Sequence, residues 1–225
     1  MNMSNEANEF DECVKYEKTQ QPIADNYYIR LYGNRNELIR YDWGDPSGQY
    51  MQRKGIDCSI IDRNQQPPKR INISEKFRRN DWGDMMIEIY SSYPKTFGWG
   101  VTDHDVDLYA YFIDPESYRR HNSDPRDPVY GKVYEIKAET VHKIATWAKE
   151  QFDNSDWGDR WLESKSNKKI VFPPTNEMPP ITYIKTYSKR DGRNWMGISI
   201  CIEWGDIKKY FGEVKENITV DINHL

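Results

Sequence analysis

Between residues 56 and 113 the chain carries four short apolar segments, each separated from the next by polar turns or loops. The segments are rich in isoleucine and aromatic residues and are too short for ordinary helices, which is typical of β-strands. The predicted strands are Ile56 to Ile61, Arg70 to Phe77, Met85 to Tyr90 and Val106 to Ile113, and the first two are predicted to form a hairpin. The fourth is apolar enough to be buried on both faces. This pattern predicts a fold built around a β-sheet.

One strong helix signal follows these strands. In Ala138 to Phe152 the apolar residues recur with the helical period and form a single stripe, made of Val141, Ile144, Ala145, Ala148 and Phe152. Two further strands are predicted at Ile181 to Tyr187 and Trp195 to Ile202, joined as a hairpin by the turn at Arg190 to Arg193. Strands, then a helix, then strands again favour an α/β (α+β) fold with a central mixed β-sheet flanked by helices.

The domain organisation follows from length and charge. A chain of 225 residues and 26.8 kDa is the size of one ordinary domain, or of one domain with an appended end. Residues 1–26 hold six acidic residues and two lysines, a local balance of −4. We therefore predict an acidic N-terminal tail or docking segment over residues 1–22 and one α/β domain over residues 23–225. Residues 23–40 are ambiguous, with a helix preferred in their second half.

Several classes of protein are excluded by what the sequence lacks. There is no apolar run of about 18 residues, which a membrane-spanning helix requires. The N-terminus has neither the basic start nor the apolar stretch of a signal peptide. The three cysteines have no CxxC spacing, which argues against a disulfide framework or a cysteine-based zinc site. A cytoplasmic location is expected.

Basic residues are concentrated in two segments although the net charge is −4. Residues 53–79 hold eight basic and three acidic residues, and residues 160–193 hold the same numbers, so each segment has a balance of +5. A basic face on a mildly acidic protein can bind phosphate backbones. The candidates for nucleic-acid binding are Arg53, Lys54, Arg78 and Arg79. The alternative is that these segments are ordinary solvated surface.

Charged residues inside three of the predicted strands form the main candidate site. Asp57 lies on the first strand, Glu75 and Lys76 lie on the second, and Glu88 lies on the third. Such charges are costly within apolar strands unless they are paired or coordinated. Alternation along the second strand places Lys76 on the face of Ser74 and turns Glu75 to the other face. Asp57, Lys76 and Glu88 are therefore expected to converge.

This arrangement resembles the PD-(D/E)XK nuclease superfamily, whose motif is an aspartate on one strand and acid-x-Lys on the next. Gly55-Ile-Asp57 matches the first part, with isoleucine in place of proline, and Ser74-Glu-Lys76 matches the second, with serine at the acid position. Some restriction enzymes of the superfamily have Ser-x-Lys and take the acid from a glutamate about a dozen residues later. Glu88 has that spacing. The resemblance covers about residues 45–150.

The resemblance implies a restriction-endonuclease-like fold and a metal-dependent endonuclease that hydrolyses DNA. It implies that Asp57 and Glu88 bind Mg²⁺ or Mn²⁺, that Lys76 orients the attacking water, and that Glu75 is a reserve ligand and catalytic residue. Oxygen ligands of this kind suit hard divalent cations. The expected partner is DNA and not a membrane, and a homodimer is left open as an assembly.

Other interpretations of the same residues stay open. Asp57 could cap the hairpin or pair with Arg70, Glu75 and Lys76 could form an exposed ion pair, and Glu88 could pair with a nearby arginine. The alternative function is a non-catalytic DNA- or protein-binding module on a nuclease-like fold with a decayed site. A third possible function is that of an interaction protein whose acidic N-terminal region binds a basic partner.

The tripeptide Trp-Gly-Asp occurs four times, at residues 43–45, 82–84, 157–159 and 204–206. The copies are unevenly spaced and their flanking sequences differ, so they do not mark a structural repeat. Each copy lies next to a predicted element. We interpret them as glycine turns with an aromatic anchor and an acid that can cap a helix.

Overall fold

The structure is a computed structural model that describes residues 4–33, 35–103, 105–118, 124, 129–164, 168–190, 193–212 and 214–221. Within these residues the fold is mixed α/β, as predicted. The helices are α1 (Ser4–Tyr32), α2 (Pro46–Gln52), α3 (Trp99–Thr102), α4 (Ala138–Asp153), α5 (Asp156–Glu163) and α6 (Trp204–Phe211). None of them is both long and apolar enough to cross a membrane.

The strands fall into two sheets. They are β1 (Glu37–Arg40), β2 (Cys58–Asp62), β3 (Lys69–Arg78), β4 (Asp84–Ser92), β5 (Thr96–Phe97), β6 (Leu108–Ile113), β7 (Tyr130–Lys137), β8 (Lys169–Phe172), β9 (Ile181–Arg190), β10 (Arg193–Glu203) and β11 (Lys215–Asp221). One sheet has the order β1-β2-β3-β6-β7-β11 and the other has the order β5-β4-β10-β9-β8.

The chain divides into two compact units, one around each sheet. The first unit contains Met1–Trp82, Asp105–Ile136 and Lys215–Leu225, and the second contains Gly83–His104 and Lys137–Val214. The sequence predicted one domain with one central sheet. The second sheet was not expected, because local patterns mark strands without saying which strands pair.

The six-stranded sheet of the first unit is mixed. Strands β2 and β3 form the predicted antiparallel hairpin, in which Cys58 pairs with Ile73. Strand β3 then runs parallel to β6, with Ser74 opposite Tyr109. Strand β6 is buried along nearly its whole length, which confirms the prediction that both of its faces are covered.

Helix α1 covers one face of this sheet. Its residues Ala24, Tyr27 and Tyr28 are buried against a cluster drawn from β2, β3, β6 and β7, which comprises Cys58, Ile60, Ile73, Ala110, Phe112 and Val133. The helix crosses residue 22, so the predicted boundary between a tail and a domain does not coincide with the end of an element. Within residues 23–40 the helix occupies the first part and β1 the last, so the preference for a helix in the second half of this ambiguous segment is wrong.

The five-stranded sheet of the second unit contains the predicted β9–β10 hairpin and packs against α4. The apolar stripe predicted for this helix is buried throughout, as expected for its core face. Strand β4 also belongs to this sheet, where it pairs antiparallel with β10. The prediction that β4 follows β3 within one sheet is therefore wrong.

The acids of the four Trp-Gly-Asp copies have different roles. Asp45 is the N-cap of α2 and accepts a hydrogen bond from the Gly48 amide at 2.9 Å, as predicted. Asp159 and Asp206 lie within the first turns of α5 and α6, four residues after the N-cap Ser155 and three residues after the N-cap Glu203, respectively. Asp84 begins β4, after Gly83 with φ of +71°. The capping prediction holds for the first copy only.

The tryptophans of these copies also differ. Trp157 packs against Phe152 and Tyr183, and Trp204 is buried, so both serve as aromatic anchors. Trp43 and Trp82 expose 56% and 73% of their surface, respectively. The anchor interpretation is therefore wrong for the first two copies, whose indoles face solvent.

Gly100 of α3 offers a test of packing in the second unit. A Cβ at this position would overlap Cγ2 of Ile87 and lie 3.2 Å from Cβ of Ala145, so α3 approaches both β4 and α4 closely. We expect Gly100→Ala to lower the free energy of unfolding by about 1–3 kcal/mol, because buried backbone and side chains would have to shift. Urea unfolding followed by circular dichroism measures the effect.

Gly205→Ala is the matched control, since Gly205 lies in α6 and a Cβ there would meet nothing within 4 Å. We expect this variant to be neutral or up to about 1 kcal/mol more stable, because alanine favours helix more than glycine does. Equal stability of the two variants would show that the close approach at Gly100 is not rigid.

Candidate functional site

Asp57 lies directly before β2 and is held by its backbone. Its amide donates to the carbonyl of Ile73 at 2.9 Å, and its own carbonyl accepts from the Tyr41 amide at 3.2 Å. Its carboxylate oxygen Oδ2 accepts from the Glu75 amide at 2.7 Å and lies 3.4 Å from the Ser74 hydroxyl. The side chain is therefore fixed at the start of the hairpin, beside the Ser74-Glu-Lys76 motif.

Ser74 connects Asp57 to Lys76. The Lys76 ammonium donates to Oγ of Ser74 at 3.0 Å, and its Nζ lies 5.9 Å from the centre of the Tyr109 ring. Ser74 itself is fully buried. The hydrogen bond between Lys76 and Ser74 agrees with the predicted alternation, which places these two side chains on one face of β3.

Glu75 takes part in a different network. Its side chain is 2% exposed and forms a bidentate ion pair with Arg40 of β1, with N···O distances of 2.5 and 3.1 Å. Arg40 also contacts Asp25 of α1 at 2.6 Å. The Cys58 thiol lies 3.7 Å from the second Glu75 oxygen. Both carboxylate oxygens of Glu75 thus already have partners, so its predicted role as reserve ligand gains no support.

Glu88 lies in the second unit, on β4. Its cross-strand neighbour is Ser199 of β10. The prediction that it stands beside Asp57 assumed that β4 adjoins the β2–β3 hairpin, and this assumption is wrong. Its role as a metal ligand remains a prediction without support from strand adjacency.

Sequence reasoning missed Glu17 of α1. It lines the same pocket as Asp57, and partial burial followed by the charge of Asp57 raises its pKa, while Lys76 opposes the shift. The spacing of Val14, Glu17, Lys18 and Gln21, all of which line the pocket, is that of one helix face. This spacing was the signal available in the sequence, within the segment interpreted as a tail.

The pocket has a volume of about 550 Å³ and belongs entirely to the first unit. One side is formed by α1, and another by the segment from Arg40 to Trp43. Burial raises the pKa of Asp57, and the nearby Lys76 charge and the Glu75 amide oppose this shift. Asp57 and Glu17, whose carboxylates both have raised pKa values, therefore line one pocket.

The predicted nucleic-acid-binding residues lie around the same hairpin. Lys54 forms an ion pair with Asp105 at 2.7 Å, and Arg53 is exposed at the end of α2. Arg78 lies over the Tyr111 ring and Arg79 over the Tyr16 ring, the latter at 4.7 Å. The basic segment 160–193 belongs to the second unit.

The candidate ligands Asp57, Glu17 and Glu75 differ in how well they suit a divalent cation. No cluster of three or more His, Cys, Asp or Glu suited to a metal exists among the residues that the structure describes. Mg²⁺ is nevertheless usually held by one or two carboxylates together with waters and substrate phosphates. Asp57 and Glu17 fit this mode, and Glu75 does not, because Arg40 already neutralises it.

Comparisons with known proteins identify no relative. No family model, no curated protein and no solved structure matches the chain.

Proposed function

We propose that the protein is a metal-dependent endonuclease that hydrolyses DNA phosphodiester bonds. The observation that carries the proposal is the hydrogen-bonded series Asp57–Ser74–Lys76, beside a pocket into which Asp57 and Glu17 face. It joins a carboxylate, a hydroxyl and an ammonium group at the end of a hairpin. These are the groups that metal-assisted phosphodiester hydrolysis uses.

Asp57 and Glu17 would hold Mg²⁺ or Mn²⁺, which when bound polarises the phosphate and supplies an activated water. Ser74 holds the ammonium of Lys76 in place through the 3.0 Å hydrogen bond. The Lys76 ammonium lies close to Asp57 and would offset the negative charge that develops on the phosphate oxygens. The Glu75 amide fixes the orientation of the Asp57 carboxylate.

The charge of the pocket supports a requirement for a cation. Its lining contains four acidic residues, Glu17, Asp42, Asp57 and Glu75, and two basic ones, Lys18 and Arg40, which leaves a formal balance of −2. A phosphodiester is an anion and is repelled by such a pocket. A divalent cation cancels this formal charge of −2 and so removes the repulsion between the pocket and a phosphodiester.

Cleavage assays test the proposal directly. Supercoiled plasmid, linear duplex and single-stranded DNA would be incubated with purified protein and Mg²⁺ or Mn²⁺, with EDTA as control. We expect at least one DNA form to be cut only when the metal is present. Absence of metal-dependent cleavage of every form would refute the catalytic proposal.

Arg79 tests whether the basic residues near the site bind the DNA backbone. We expect Arg79→Ala to weaken binding at low salt and to reduce the slope of log K against log salt by about 1, because one phosphate contact is lost. Filter binding across a salt series measures the slope. Arg63→Ala is the control, since Arg63 is exposed and already paired with Glu37 at 2.7 Å. Equal slopes for the two variants would contradict the assignment of Arg79.

A non-catalytic DNA- or protein-binding module is the second candidate. It is favoured by the serine at the acid position and by the pairing of Glu75 with Arg40. Calorimetric titration with Mn²⁺ separates the two candidates. The nuclease requires Mn²⁺ binding that Asp57→Asn abolishes, whereas the binding module requires neither the metal nor Asp57.

A further inference from the structure

Trp43 and Trp82 are both exposed tryptophans of Trp-Gly-Asp copies, but their surroundings differ. Trp43 lines the pocket that also contains Asp57 and Glu17, and Trp82 does not. Exposure alone carries no inference, because single apolar residues are common on protein surfaces. The Trp43 indole, however, lies at a pocket that also holds the candidate metal-binding carboxylates, and this position supports an inference about its role.

The turn that carries Trp43 is held by hydrogen bonds of its backbone and by the close approach of α2. The Trp43 carbonyl accepts from the Gln49 side chain at 2.7 Å, and the Gly44 amide donates to the Asp42 carboxylate at 2.9 Å. A Cβ at Gly48 would overlap the backbone of Asp42, so α2 closes tightly on the turn. The exposed ring is therefore presented from an ordered backbone.

The pocket combines two kinds of surface. Val14, Trp43 and Phe77 supply apolar and aromatic walls, while Glu17 and Asp57 supply carboxylates. A nucleotide has the matching parts, an aromatic base and a phosphate that reaches carboxylates through a divalent cation. The volume of about 550 Å³ falls within the roughly 300–1,000 Å³ range typical of small-ligand sites.

We propose that Trp43 stacks on an unpaired base next to the phosphate held at Asp57, and that the substrate is therefore single-stranded DNA or DNA with a single-stranded segment. The proposal rests on the proposed nuclease function. In a duplex both faces of each internal base are covered by neighbouring bases, so an indole can stack only on a base that is unpaired or extruded.

Binding measurements test the proposal. Fluorescence anisotropy would follow a labelled 20-nucleotide oligo-dT and a labelled 20-base-pair duplex, with Ca²⁺ in place of Mg²⁺ to suppress cleavage. We expect Trp43→Ala to weaken binding of oligo-dT by about 5- to 150-fold, since stacking of one base has that effect, and to leave duplex binding unchanged. Trp43→Phe should retain most of the affinity.

Trp82→Ala is the matched control, because it removes an exposed indole from the same tripeptide outside the pocket. We expect it to bind both DNA forms like the wild type. Circular dichroism would check that each variant is folded.

The outcomes separate this inference from the proposed function. Metal-dependent cleavage together with wild-type binding of oligo-dT by Trp43→Ala would overturn the inference and leave the nuclease standing. Equal loss of oligo-dT and duplex binding would also overturn it. Loss of oligo-dT binding alone, in a protein that cuts no DNA, would support the stacking role and refute the nuclease.

Discussion

Lys76→Ala is expected to lower the rate of metal-dependent DNA cleavage by about 10²–10³-fold, because removing one preorganised group that offsets transition-state charge typically has this effect. The side chain is partly exposed, and its ammonium contacts the Ser74 hydroxyl and the Tyr109 ring among other groups. Its loss should change the free energy of unfolding by only about 1 kcal/mol. Single-turnover cleavage and urea unfolding measure the two effects.

Lys69→Ala is the control for this experiment. Lys69 is an exposed residue at the start of the same strand, so its removal takes away one positive charge without touching the Asp57–Ser74–Lys76 series. We expect this variant to cleave at close to the wild-type rate. If Lys76→Ala cleaved as fast as Lys69→Ala, Lys76 would have no role in the chemistry.

The second large effect is expected at Arg40. Replacing Arg40 with methionine leaves the carboxylate of Glu75 buried without its partner, and breaking a buried ion pair in this way typically costs about 3–5 kcal/mol. Because the Arg40 side chain is 22% exposed, we expect a loss near the lower end of that range at pH 8. Urea unfolding of Arg40→Met and wild type at this pH measures the loss.

The loss should depend on pH. Burial already raises the pKa of Glu75, and Arg40 is the strongest influence opposing that shift. In Arg40→Met the pKa of Glu75 rises further, so the folded state binds the proton more tightly than the unfolded state does. Stability is then greatest below the unfolded-state pKa of about 4.3 and falls as the pH rises through the folded-state value. The deficit relative to wild type should therefore be smaller at pH 5 than at pH 8.

A double variant, Arg40→Met with Glu75→Gln, isolates the cause. It carries no buried charge at position 75, so we expect it to recover part of the lost stability at pH 8 and to lose the extra pH dependence. It also tests the assignment of the site, since Mn²⁺ binding should survive if Glu75 is not a ligand. A deficit of equal size at pH 5 and pH 8 in the single variant would show that the Glu75 charge is not responsible.

The sequence by itself determined the features that depend on local periodicity. The β2–β3 hairpin, the buried strand β6, the β9–β10 hairpin and the apolar stripe of α4 all follow from patterns within a few residues. Alternation along β3 also predicted that Ser74 and Lys76 share a face, because successive side chains of a strand must point to opposite faces. The same alternation allowed the sequence to predict that Lys76 lies on the side of the hairpin where Asp57 is found.

Only the tertiary structure decided which distant groups meet these residues. The partner of Glu75 is Arg40, 35 residues away on β1, and the acid that joins Asp57 at the pocket is Glu17 of α1. The apolar pattern of β4 identified a strand, but its pairing with β10 in a second sheet depends on which edges meet during folding. Strand pairing and helix docking are set by packing between segments far apart in the chain, and no local pattern encodes that packing.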